Sequence, residues 1–205
     1  MARDFEIKDL GVLKYFFGME FARSKEGIFV NQRKYILDLF KETGLLGCKT
    51  IETPMEVNLK LSPAKAEDVI DREKFQGLVG KLIYLSHTHP DIAFAVSMVS
   101  QFMHSPGQEH FDAAYRILRY LKGTPRKGLM LWKWDNLQIE IYTGVDWAGS
   151  STDRRSTSGY CTFIRGNLVT WQKTKHCGGP LAHGICDAIW IKRLFEDLKI
   201  PVSFP

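Results

Sequence analysis

Leu137-Gln138-Ile139-Glu140-Ile141-Tyr142 alternates apolar and polar side chains with a period of two. That is the signature of a strand with one buried face. Tyr160 to Arg165 and Asn167 to Gln172, parted by Gly166, read as the next two strands of an antiparallel meander, and a helix from about Leu181 follows, carrying Ile185, Ala188, Ile189, Leu194 and Leu198. Upstream the period is that of a helix. Phe75, Leu78, Val79, Leu82 and Ile83 form one apolar face, Ile92, Ala95, Val96, Val99 and Phe102 a second after Pro90, and Phe111, Ala114, Tyr115, Leu118 and Leu121 a third. Three amphipathic helices joined by short turns pack on one another. The change of period predicts an α+β chain with two units, residues 1–128 and 136–205, joined near 126–135.

Before the helices, Val12 to Phe21 is rich in aromatics and reads as one strand, with Gly18 where another backbone approaches. Gly27 to Val30 is predicted to pair with it across Arg23 to Gly27. Asn31 then caps a helix that buries Tyr35, Ile36, Leu39 and Phe40 and stops at Gly44. Residues 45–70, with Thr53-Pro54 and Ser62-Pro63, read as a linker or lid.

The chain has 205 residues, 44% of them apolar and 25% charged, which excludes a wholly disordered or collagen-like polypeptide. No apolar run is long enough to span a bilayer and the first residues carry no secretory leader, so the expected setting is cytoplasmic or nuclear, without a membrane partner. Four irregularly spaced cysteines are read as free thiols. The net charge of +5 comes wholly from the second half: residues 1–100 hold 14 basic and 14 acidic side chains, residues 101–205 hold 14 and 9. Arg116, Arg119, Lys122, Arg126 and Lys127 fall within thirteen residues with no acid between them. This is the best candidate for a phosphate-facing surface in the sequence, with the backbone of RNA or DNA as the candidate partner. The bland alternative is a solvated face.

Four longer words carry a resemblance. Asp9-Leu-Gly-Val-Leu-Lys-Tyr-Phe-Phe-Gly18, Tyr84-Leu-Ser-His-Thr-His-Pro-Asp-Ile-Ala93, Arg116-Ile-Leu-Arg-Tyr-Leu-Lys-Gly-Thr124, and Tyr142-Thr-Gly-Val-Asp-Trp-Ala-Gly149 with Asp153-Arg-Arg-Ser-Thr-Ser-Gly159 resemble the pol polyprotein of copia-type LTR retrotransposons. The resemblance runs in order along nearly the whole chain, covering the end of the reverse transcriptase, its connecting region and the start of the ribonuclease H domain. It implies a β-hairpin plus thumb-like helices, then a truncated ribonuclease H-like antiparallel β-meander with a C-terminal helix. It also implies possible association with a complete pol protein.

The family's activities are RNA-directed DNA polymerase and RNA–DNA hybrid ribonuclease. Its polymerase centre is a Tyr-Val-Asp-Asp turn upstream of the Asp-Leu-Gly word, and that turn is not in this sequence. Its ribonuclease centre holds paired Mg²⁺ ions between converging carboxylates, the first being the leading Asp of Thr-Asp-Ala-Asp-Trp. Here the word reads Thr143-Gly144-Val145-Asp146-Trp147, so glycine stands at the ligand position and Asp146 is the residual carboxylate. The family's Ser-Ser-Ala-Glu-Ala-Glu-Tyr, with the next ligand, is replaced by the run from Gln172 to Ala182, and the remaining aspartates lie beyond the Lys-Arg-Leu helix, here Lys192-Arg193-Leu194. His89 takes the place of an Arg in the Thr-Arg-Pro-Asp word. These departures predict a pol-derived fragment with no intact catalytic residues, no bound metal and no cofactor, where the intact family uses Mg²⁺. The alternatives are a ribonuclease H whose ligands are completed by a partner chain, and a host-recruited or effector-like interaction protein.

Lesser features have two readings. His176, Cys177, His183 and Cys186 have zinc-binding residue types, but the loop of five residues between the pairs is too short for the usual pattern, which favours remnants of a deletion. Arg154 and Arg155, in the Asp153 to Gly159 turn, are candidates for phosphate contact. Lys14-Tyr15-Phe16-Phe17 could stack bases but reads rather as core, and Trp132 and Trp134 could stack a base or cover the joint between the units.

Overall fold

The computed structural model describes residues 11–57, 59, 61–64, 70–133, 138–146, 157–174 and 179–200. Trp134, Trp147, Arg154, Arg155, His176 and Cys177 lie outside them. The chain begins with two short strands, β1 (Tyr15–Phe16) and β2 (Met19–Arg23), followed by β3 (Gly27–Asn31) and helix α1 (Arg33–Glu42). Val12 to Phe21 is therefore not one strand. Phe17 (φ 46°) and Gly18 (φ 80°) form a tight left-handed turn that folds β1 back on β2, the backbone twist that two-residue hairpins require. The turn also overturns the core reading of the aromatics: Tyr15, Phe16 and Phe17 sit at the hairpin tip and are 50%, 47% and 76% exposed.

Helix α1 starts one residue later than the sequence suggests. Gln32 holds the cap position, while Asn31 Oδ1 accepts the Arg33 N–H at 3.1 Å. Gln32 is fully buried and its Oε1 accepts the Thr88 hydroxyl at 2.7 Å, so it ties the start of α1 to the turn that precedes the third helix. Past one 3₁₀ turn at Leu45–Gly47, the described part of residues 48–64 has no regular structure.

Helices α2 (Arg72–Ser86), α3 (Pro90–Ser100) and α4 (Gln108–Gly123) follow the predicted periods. Asp71 caps α2 through Lys74 N–H at 3.0 Å, and Pro90 opens α3, where its missing donor costs nothing. Phe75, Val79, Leu82, Leu85, Ile92, Val99, Ala114, Ile117 and Leu121 are sealed from solvent, with Ile36, Leu39 and Phe40 of α1 closing the same cluster.

Strand β4 (Gly128–Trp132) pairs antiparallel with β3 and completes a four-stranded sheet in the order β1-β2-β3-β4. The chain then forms a separate meander, β5 (Ile139–Asp146), β6 (Thr157–Ile164) and β7 (Asn167–Thr174), backed by α5 (Gly179–Asp197). Arg165 (φ 53°) and Gly166 (φ 69°) make the β6–β7 turn. Gly184 lets α5 lie close on the sheet, since a Cβ there would come within 2.9 Å of Ile141 Cγ2. Among the described residues the architecture is α+β, with antiparallel sheets and five α-helices.

The side chain of Asn167 ties the two sheets together. Asn167, at the start of β7, accepts the Trp132 N–H at 2.6 Å through Oδ1 and donates to the Trp132 carbonyl at 3.0 Å through Nδ2. It thereby pairs with the outer edge of β4 as a backbone amide would. Beside α3, an open cleft of about 330 Å³ lined by Ile83, Phe94, Val96 and Trp171 runs between the helices and β7. No helix among the described residues is long and apolar enough to cross a membrane.

Candidate nucleic-acid interface and metal centre

The basic row lies along α4. At 1.5 Å rise per residue, positions 116, 119 and 122 stack on one side of the helix over about 9 Å. Their charged ends do not point freely outward. Arg116 donates to Glu56 Oε1 at 2.7 Å and to Thr53 Oγ1 at 3.1 Å, Arg119 Nε to the Lys49 carbonyl at 3.1 Å, and Lys122 Nζ to the Leu46 and Cys48 carbonyls at 2.6 Å each. All three cations hold down one irregular strap, residues 46–56. Ile51 and Met55 of the strap pack inward against the helical core.

Arg126 and Lys127 follow in the turn before β4, and both are exposed. Lys127 Nζ reaches Asp91 Oδ2 at 3.2 Å and the Tyr120 hydroxyl at 3.0 Å, while that hydroxyl donates to Asp91 Oδ2 at 2.6 Å. Burial alone would raise the Asp91 carboxyl; the neighbouring His89 imidazole, the Tyr120 hydroxyl and the Lys127 ammonium outweigh it and hold Asp91 well below the usual carboxylate range. His89 is buried, with Nδ1 3.6 Å from Asp91 Oδ1, too long for a hydrogen bond. This Asp91–Tyr120–Lys127 knot ties the start of α3 to the end of α4, and the sequence reading missed it. Tyr120 and Lys127 are seven apart and Asp91 is remote, so no local spacing announces it.

Gly144 lies in the middle of β5, opposite Gly159, and is exposed. A Cβ built there would meet no atom within 4 Å, so steric crowding is not what keeps a carboxylate from this position. Alternation places positions 140, 142, 144 and 146 on one face of the strand. The other face, with Ile141 and the Thr143–Tyr160 pair, is the one that α5 covers. Asp187 of α5 sits on that covered side, where its Oδ2 accepts the Tyr160 hydroxyl at 2.7 Å. Burial, and then this bond, push the Tyr160 phenol up to about 12. Gly144 and Asp187 therefore face opposite sides of the sheet. Among the described residues no three His, Cys, Asp or Glu side chains converge as metal ligands, so the described donor set does not fit paired Mg²⁺ ions. His183 and Cys186, half of the candidate zinc set, lie one turn apart on α5.

The chain has relatives among the polyproteins of retrotransposons along its whole length. It is 37% identical over 215 residues to the retrovirus-related Pol polyprotein from transposon RE1 of Arabidopsis thaliana, an alignment covering 100% of this chain and 15% of that protein. An uncharacterized mitochondrial protein of the same plant is 40% identical over 173 residues, covering 83% of this chain and 71% of the relative. A secreted RxLR effector protein of Plasmopara viticola is 41% identical over 98 residues, 47% of this chain and 69% of the effector. No family model and no solved structure matches the chain. The chain belongs to the family of copia-type retrovirus-related Pol polyproteins, and is a pol-derived fragment spanning a small part of the full-length polyprotein.

Proposed function

We propose that the chain binds the backbone of RNA or DNA weakly and without sequence preference, and that it does not cut what it binds. The observation that carries the second half is Gly144. Hydrolysis by paired ions needs several oxygen ligands converging on them. Glycine supplies no side-chain oxygen at the ligand position, and Asp187 is turned to the opposite side of the sheet and bonded to Tyr160. A single carboxylate at Asp146 cannot organise two divalent ions, so a live ribonuclease would require a partner chain to bring most of the centre.

The binding half rests on charge placement. Arg116, Arg119, Lys122, Arg126 and Lys127 follow one another along the end of α4 and the turn beyond it, and Arg126 and Lys127 are exposed. Phosphate contact by such residues positions a strand without reading its bases. Titrating binding to a labelled RNA–DNA hybrid over a range of salt tests this reading. Affinity is expected to fall linearly with salt on a log–log plot, and the RNA strand stays intact with Mg²⁺ present. A slope of zero would overturn the backbone reading.

A second reading, an interaction protein without catalysis, draws on the similarity to a relative described as a secreted effector. A salt-independent profile together with a stable protein partner would favour it.

A further inference from the structure

We propose that residues 46–56 are a displaceable cover over the basic face of α4, and that a nucleic-acid backbone competes with this cover for Arg116, Arg119 and Lys122. The inference rests on the backbone-binding reading above and adds how that surface is controlled.

The partners of the three cations are unequal. Lys122 is held by two neutral carbonyls and Arg119 by one. Arg116 alone meets a carboxylate, that of Glu56, whose side chain is 59% exposed. A hydrogen bond between a cation and an anionic oxygen is roughly twice as strong as one to a neutral acceptor. A phosphate oxygen therefore has an advantage over the strap at Arg119 and Lys122, and must outdo a like-charged competitor only at Arg116. Glu56 is the latch.

The strap is built to give way more readily than a helix or strand would. Beyond its opening 3₁₀ turn it has no regular structure, so lifting it breaks no ladder of backbone bonds. What resists lifting is apolar: Ile51 and Met55 against the helical core. That contact keeps the cover closed by default and explains why binding is weak in the resting chain. Under the cover the cations retain their one-sided spacing along α4, matched to a continuous anionic strand rather than to a single small anion.

The test compares the intact chain with Glu56→Gln, with Asp38→Asn, which removes the same charge from α1, and with a triple variant carrying Arg116→Gln, Arg119→Gln and Lys122→Gln. Binding of labelled oligo(dT) is measured over a salt series, and the rate of tryptic cleavage after Lys49, whose carbonyl Arg119 holds, is followed with and without the oligonucleotide. Glu56→Gln is expected to bind roughly two- to fivefold more tightly than Asp38→Asn, the scale of one exposed ion pair. The triple variant has a flatter salt slope, and oligo(dT) speeds cleavage after Lys49 in the intact chain. If the intact chain binds with a negative salt slope but Glu56→Gln matches Asp38→Asn and cleavage is unchanged, the cover is a fixed strap and the proposal fails while backbone binding stands. If neither the intact chain nor Glu56→Gln binds at low salt, the backbone reading fails and takes the cover with it.

Discussion

The helical region and the meander are built to different standards. Helices α1–α4 share one core in which side chains from all four are sealed from water. Among the described side chains of the meander and α5, the buried apolar members are Tyr160 and Ile191, accompanied by the polar Thr162 and Asn167. Helix α5 leaves Ile185, Ile189, Trp190 and Leu194, and the residue after it, Leu198, between 38% and 64% exposed. Burial of apolar area is the main favourable term in folding, so among the described residues the helices are expected to supply more of the stability than the meander.

That contrast can be broken or sharpened by substitution. The largest effect is expected in the helical core, where Leu82→Ala or Phe75→Ala should cost about 3–5 kcal/mol in urea unfolding. Ile191→Ala should cost clearly less; equal losses would erase the distinction. Next comes the stitch between the sheets. Asn167→Ala leaves the N–H and carbonyl of Trp132 without their partner and should cost about 1–3 kcal/mol, with faster hydrogen exchange in β7 than in α2.

A smaller effect is set by pH. The Tyr160 phenol is raised in the folded chain, so the unfolded chain loses its proton first on going alkaline. Stability from this group is complete below pH 10 and falls between 10 and about 12, and Tyr160→Phe should flatten that limb in a pH series of melting temperatures. At the other end, burial lowers the His110 imidazole, whose Nδ1 accepts the Gly107 N–H at 2.8 Å at the start of α4. The unfolded chain then takes up its proton first as pH falls below 6.5, so stability should decline on that side, and His110→Gln should reduce the decline.

The helices and the meander were legible because their periods differ, and in α1–α4 most of the apolar positions named from the sequence are buried, whereas Ile185, Ile189, Leu194 and Leu198, read as the apolar face of the last helix, are exposed. Strand β4 was missed because Gly128-Leu-Met-Leu-Trp132 is a short apolar run without alternation, and its partner β3 is remote in sequence. The β1–β2 turn was missed because Phe17 takes a left-handed conformation unusual for a bulky side chain. At the candidate interface the sequence located the basic row but not its partners: the carbonyls of the strap belong to the backbone and leave no mark in residue identity. Gly144 is legible in the sequence as a residue that offers no side-chain oxygen.

The central proposal is that this chain does not hydrolyse RNA. Incubation of the purified chain with an RNA–DNA hybrid and Mg²⁺ or Mn²⁺ tests it most directly. The RNA strand should remain whole at every ion concentration, and cutting that disappears in Asp146→Asn would contradict it.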